Sequence, residues 1–86
     1  AYAIAKTKIE LTPTINVDKI LDAVKEKFSS EKITDIDGVK IDFPNSWVHL
    51  RKSNTEPIIR IYSEAATMDE ANALGDKIKA VISSLV

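Results

Sequence analysis

Apolar residues recur at helical spacing in two places along the chain. In the first, Val17, Ile20, Leu21, Val24 and Phe28 fall three and four positions apart and form one stripe, while Lys19, Asp22, Lys25, Glu26 and Lys27 take the wet side. Asn16 stands before the stripe as an N-cap, and Ser29 and Ser30 end it. In the second, Ala71, Leu74, Ile78, Val81 and Leu85 make the stripe, and Thr67 followed three residues later by Glu70 is a capping box. Between the two the period drops to two. Val39, Ile41 and Phe43 share one face and Lys40 and Asp42 the other. Asp37-Gly38 separates this run from the alternating segment before it, which predicts a hairpin. Pro44, Asn45 and Ser46 make a second turn, Trp47 to Arg51 a third strand, and Ile58 to Tyr62 a fourth. Ala1 to Leu11 is mixed, with Tyr2, Ile4, Ile9 and Leu11 as its apolar points. It reads as an edge strand or an incoming linker, closed by Pro13.

Both helices need a sheet to cover. The expected fold is therefore an α+β two-layer sandwich: an antiparallel sheet of about four strands with two helices on one face. Residues 1–15 are the linker or edge strand and 16–86 the domain.

Composition narrows the function. The chain has 86 residues, enough for one domain at most, and its 44% hydrophobic and 29% charged residues are ordinary for a globular protein. A net charge of -1 argues against a general nucleic-acid binder, which carries a basic field. With no cysteine there is no disulfide framework or thiolate site, and a single histidine, His49, builds no His-rich metal site. No apolar run approaches the ~20 residues that span a bilayer. Lys6, Lys8 and Glu10 sit where the apolar core of a signal peptide would be. Without an initiator Met, the chain is expected to be a processed product or a piece of a longer protein, with an intracellular, cytoplasmic setting and no membrane partner.

The segment "RKSNTEP", residues 51–57, is where chemistry concentrates. Alternation sends Val48, Leu50, Ile59 and Ile61 toward the helices and Trp47, His49, Arg51, Ile58, Arg60 and Tyr62 to the open face. Arg51 and Arg60 then emerge on one face near one end. Between them lie the hydroxyls of Ser53 and Thr55, the amide of Asn54 and several backbone N–H groups. A phosphate monoester offers several acceptor oxygens and up to two charges, and arginine forks, hydroxyls and turn amides complement it. Pro57 stiffens the loop exit and holds Glu56 extended. Ser-Asn-Thr is also ordinary turn chemistry, so a plain polar turn is the competing reading. Trp47, His49 and Tyr62 suit an inter-domain contact or a platform for stacked bases. Asp35, Asp37 and Asp42 flank the hairpin as solubilising acids. No nucleophile–base pair and no metal cluster is present.

Arg51-Lys52-Ser53-Asn54-Thr55-Glu56-Pro57, followed by Arg60 and Glu64, resembles the phosphate-binding signature of the α-D-phosphohexomutases, the superfamily that includes phosphomannomutase/phosphoglucomutase and phosphoglucosamine mutase. The preceding "DGVKIDFPNSWVHLR" and the acid-rich start of the last helix are similar too, so the likeness runs over residues 16–86. It implies a four-domain enzyme that interconverts hexose 1- and 6-phosphates through a bisphosphorylated intermediate. A phosphoserine and Mg²⁺ would lie in the first two domains and a sugar-recognition loop in the third. This chain would be the fourth, with a TATA-binding-protein-like fold, holding the non-reacting phosphate. Its partners would be the sugar phosphate and the other three domains, with no cofactor of its own. By position, Arg51, Ser53, Asn54 and Thr55 fall on phosphate contacts and Arg60 on the second arginine; Glu56 and Pro57 shape the loop. Asn54 stands where phosphoglucosamine mutases tend to have Gly, which points to the phosphomannomutase/phosphoglucomutase branch. The alternative reading is a non-enzymatic module using the open sheet face for nucleic acid or protein.

Overall fold

The computed structural model describes residues 2–86. It contains five strands and two helices in the order β1 (Ala3–Glu10), α1 (Val17–Lys27), β2 (Lys32–Thr34), β3 (Val39–Asp42), β4 (Trp47–Lys52), β5 (Ile58–Ala65) and α2 (Met68–Ser84). The strands form one antiparallel sheet in the order β1-β5-β4-β3-β2. The sandwich is the one the pattern predicts, with a fifth strand: β1 pairs with β5 along its whole length, from Ala3 opposite Ala65 to Glu10 opposite Ile58.

Val24, Ile41, Val48, Leu50, Ile59, Ile61, Ile78 and Ile82 are fully buried in one core, which joins both helices to one sheet face. The helix starts are set by their caps. Asn16 Oδ1 accepts from the Lys19 N–H at 3.2 Å, and Thr67 Oγ1 accepts from the Glu70 N–H at 3.1 Å. Phe28, the C-cap of α1, meets Phe43 edge-on at 5.9 Å between ring centroids.

The buried line of α2 is Ala71, Gly75, Ile78 and Ile82, with Leu74, Val81 and Leu85 half-buried beside it. The expected stripe is therefore rotated toward its small residues. Near the start of α2, Ala5, Ala65 and Ala71 make a second small core. Gly75 lies so close to the sheet that a Cβ there would stand 3.4 Å from Ser63 Oγ and 3.5 Å from Thr7 Cγ2. Ser63 is fully buried and donates to the Ala71 carbonyl at 2.7 Å, which ties β5 to α2.

The hairpin expected at Asp37-Gly38 is present between β2 and β3, with a loop from Asp35 to Gly38 in which only Gly38, at φ 74°, adopts the left-handed conformation. One expectation is corrected. Ile58 points to the open face by alternation but is buried, 6% exposed. The segment leaving β1 runs beside it, with the Leu11 N–H donating to the Pro57 carbonyl at 2.7 Å.

Candidate functional site: the β4–β5 loop

The register of β4 and β5 sets the site. Arg51 and Arg60 are direct cross-strand partners, both exposed, on the face away from the helices. The loop 53–57 leaves the same end of the sheet, where the Ser53 N–H donates to the Ile58 carbonyl at 3.0 Å and closes the strand pair. Sequence alternation placed both arginines correctly. It also placed Trp47, His49 and Tyr62, which are half-buried on the same face with His49 opposite Tyr62.

Inside the loop the hydroxyls divide their work. Ser53 Oγ accepts from the Thr55 N–H at 3.3 Å and the Glu56 N–H at 3.2 Å. Those two amides are thus turned inward and do not face a ligand. Ser53 builds the loop and keeps its own O–H for donation, with Thr55 Oγ1 3.4 Å away. Among the described residues neither the N–H nor the side-chain amide of Asn54 makes a hydrogen bond, and Asn54 and Thr55 are exposed. The donors gathered at this end are Arg60, Asn54, whichever of the Ser53 and Thr55 hydroxyls does not donate to the other, and Arg51, which is shared with Asp37.

Lys52 follows the inward alternation of Val48 and Leu50, and its ammonium reaches Asp18 in the first turn of α1 at 2.8 Å. It anchors β4 to the helix layer. Asp37 was not legible as part of the site. Its carboxylate lies 3.5 Å from Arg51 Nη2. The cause is the register: Val39 pairs with Leu50, so the loop that precedes Val39 comes to rest beside Arg51. His49 Nε2 meets the Asp37 carbonyl oxygen at 2.6 Å and steadies that loop. An added Cβ on Gly38 would lie 2.4 Å from the Leu50 carbonyl oxygen, so the backbone contact there admits no side chain.

Arg51, Lys52 and Asn54 share with Asp18, Asp22, Asp35, Asp37 and Lys25 a hollow of about 430 Å³ between α1 and the two loops. Its charges are largely paired. Lys25 reaches both Asp22 and Asp35 at 3.2 Å, and the bond to Asp35, then that to Asp22, raises the lysine above its ordinary range. Among the described residues no group of three or more His, Cys, Asp or Glu side chains is placed to hold a metal ion. The acids around this hollow therefore do not form a Mg²⁺ site. The Trp47 ring carries the Lys40 ammonium 5.2 Å from its centroid, so that surface is partly covered. No helix among the described residues is long and apolar enough to cross a membrane.

Comparison with known proteins meets the same segment. Residues 7–81 match the family model described as phosphoglucomutase/phosphomannomutase, C-terminal domain. The chain is 42% identical to a phosphoglucosamine/phosphogalactosamine mutase of Sulfurisphaera tokodaii over 94% of its length and 18% of that protein's. It is 36% identical to a phosphomannomutase of Methanocaldococcus jannaschii, over 72% of this chain and 13% of that protein. To a phosphomannomutase/phosphoglucomutase of Pseudomonas syringae it is also 36% identical, over 69% of this chain and 15% of that protein. The chain thus spans less than a fifth of the length of these relatives.

Proposed function

The chain belongs to the phosphoglucomutase/phosphomannomutase C-terminal domain family, and on that premise we propose that its β4–β5 loop binds the phosphate of a hexose phosphate for a phosphohexomutase. The carrying observation is the placement of Arg51 directly opposite Arg60 beside the unpartnered donors of Asn54. Holding the phosphate that does not react supplies binding energy that positions the end that does. Arginine forks and hydroxyls recognise phosphate and read little of the sugar. Such a loop therefore suits relatives named for glucosamine, mannose and glucose substrates alike. It also suits a substrate that must turn around between two half-reactions and present either phosphate.

In this reading the reaction is the interconversion of 1- and 6-phosphates by a larger chain. Mg²⁺ and the phosphoryl-carrying serine belong to its other domains, and the isolated domain turns nothing over. The test is Arg51→Ala in the complete enzyme. A hydrogen bond to a charged group contributes about 1.5–3 kcal/mol. Losing a bidentate one lowers kcat/KM by roughly ten- to a hundredfold or more. An unchanged kcat/KM would overturn the assignment.

A further inference from the structure

The open face of the sheet carries its cations in register. Lys8 on β1 is the direct partner of Arg60 on β5, and Arg60 is the partner of Arg51 on β4. Lys8, Arg60 and Arg51 therefore stand in one row across three adjacent strands, with strand spacings of about 4.8 Å. In the next row Lys6 is the partner of Tyr62. Lys6, Thr7, Lys8, Arg60 and Tyr62 line a hollow of about 310 Å³ that opens on the far side of Arg60 from Arg51.

Among the described residues Lys6 and Arg60 have no ion pair, while Lys8 has one loose neighbour, Glu10 at 3.5 Å with its side chain 70% exposed, and Arg51 has Asp37 at 3.5 Å. Like charges set directly opposite on adjacent strands repel. In the row Lys8–Arg60–Arg51 the outer two cations each have one exposed acid at 3.5 Å, Glu10 and Asp37, and the central Arg60 has none, an arrangement that suits an anion arriving from outside.

We infer that Lys8 is a further anion-positioning residue of the phosphate site, supplying a third positive charge from the edge strand. The inference rests on the phosphate-binding reading of the loop and extends it to a strand that lies outside the loop signature. Lys8 acts on a phosphate dianion held by Arg51 and Arg60. Glu10 restrains it when the site is empty and yields when the anion binds.

The experiment is a titration of the domain with inorganic phosphate at low ionic strength, comparing wild type, Lys8→Ala, Lys8→Arg, Glu10→Gln and Lys32→Ala. Lys32 lies at the opposite edge of the sheet, on β2, and its substitution removes the same charge. Lys8→Ala should weaken binding roughly three- to tenfold and flatten the dependence on salt, as fits the loss of a partly screened charge. Lys8→Arg should restore affinity, and Glu10→Gln should tighten it about twofold. Lys32→Ala should change it by less than about twofold. A merely structural role for the edge strand would not give opposite signs for Lys8→Ala and Glu10→Gln. If Lys8→Ala and Lys32→Ala weaken binding equally, only net charge matters and the inference falls while the loop assignment stands. If wild type shows no binding at tens of millimolar phosphate, both fall together.

Discussion

Arg51 and Arg60 face each other across the β4–β5 pair, two positive side chains in direct register on the exposed side of the sheet. Placed this way without an anion they repel, and the Asp37 carboxylate beside Arg51 offsets part of that cost. Arg60→Gln should therefore leave the melting temperature in phosphate-free buffer unchanged or slightly raised. With about 50 mM phosphate and a millimolar dissociation constant, the wild type should gain about 2 kcal/mol by linkage, and the variant should gain much less. Thermal melts with and without phosphate read both effects. A variant that loses stability in plain buffer yet keeps the full phosphate gain would contradict the role given to Arg60.

Asp37 competes for the same arginine. Its ion pair with Arg51 is open to water, with side-chain exposures of 77% and 52%, so it contributes little to folding. Asp37→Asn should leave the unfolding midpoint nearly unchanged and tighten phosphate binding about two- to fivefold. The Asp37 carbonyl still meets His49, so the loop keeps its place. Weaker phosphate binding in this variant would mean that Asp37 organises Arg51 and does not occupy it.

Gly38→Ala tests the support beneath that loop. The substitution meets a left-handed backbone and a carbonyl oxygen at 2.4 Å from the new Cβ. A left-handed conformation costs a non-glycine residue roughly 1–2 kcal/mol before any clash. Urea unfolding should show a loss of at least about 2 kcal/mol. A loss below about 0.5 kcal/mol would show that the loop relaxes freely.

Ser63→Ala separates fold from site. It removes the buried hydrogen bond to the Ala71 carbonyl and should cost about 0.5–1.5 kcal/mol. Phosphate affinity measured well below the melting transition should not change, because Ser63 lies on the helix side of β5. A changed affinity would show that the β5–α2 contact reaches the loop.

Lys25 gives the pH dependence a sign. Its pairs with Asp35 and Asp22 raise its folded-state pKa above the unfolded one. The contribution is complete below the ordinary lysine pKa and is lost only as pH rises through the folded value. Chemical denaturation should thus find no slope from Lys25 near neutrality and a loss confined to strongly alkaline solution. The comparison is with Lys25→Met, which should lack that alkaline loss.

The fold was legible where side chains announce their face. Val48, Leu50, Ile59 and Ile61 all lie buried where alternation puts them, and both helices begin at Asn16 and Thr67 as their caps dictate. β1 was ambiguous because its inward positions are Ala3, Ala5, Thr7 and Ile9, mostly small residues that α2 covers at close range. The same closeness hid Gly75 and Ser63, one without a side chain and one polar, from any reading based on hydrophobic spacing. At the site, Arg51, Arg60 and the loop between them were readable because strand alternation fixes their face. The partnership of Asp37 with Arg51 was not, since it depends on a hairpin loop that runs from Asp35 to Gly38 and on the β3–β4 register.

The most direct test of the central claim is a phosphate titration of the domain followed by backbone amide shifts. The site is open to water and has no second domain to close it, so the dissociation constant should lie near the millimolar range, about 4 kcal/mol of binding. Saturable shifts should concentrate at residues 51–56 and 60, with a secondary change at Asp37 and Gly38 as Arg51 exchanges one anion for the other, and Arg51→Ala should abolish them. Shifts scattered over the helices, or none at tens of millimolar phosphate, would contradict the account and leave the loop a polar turn.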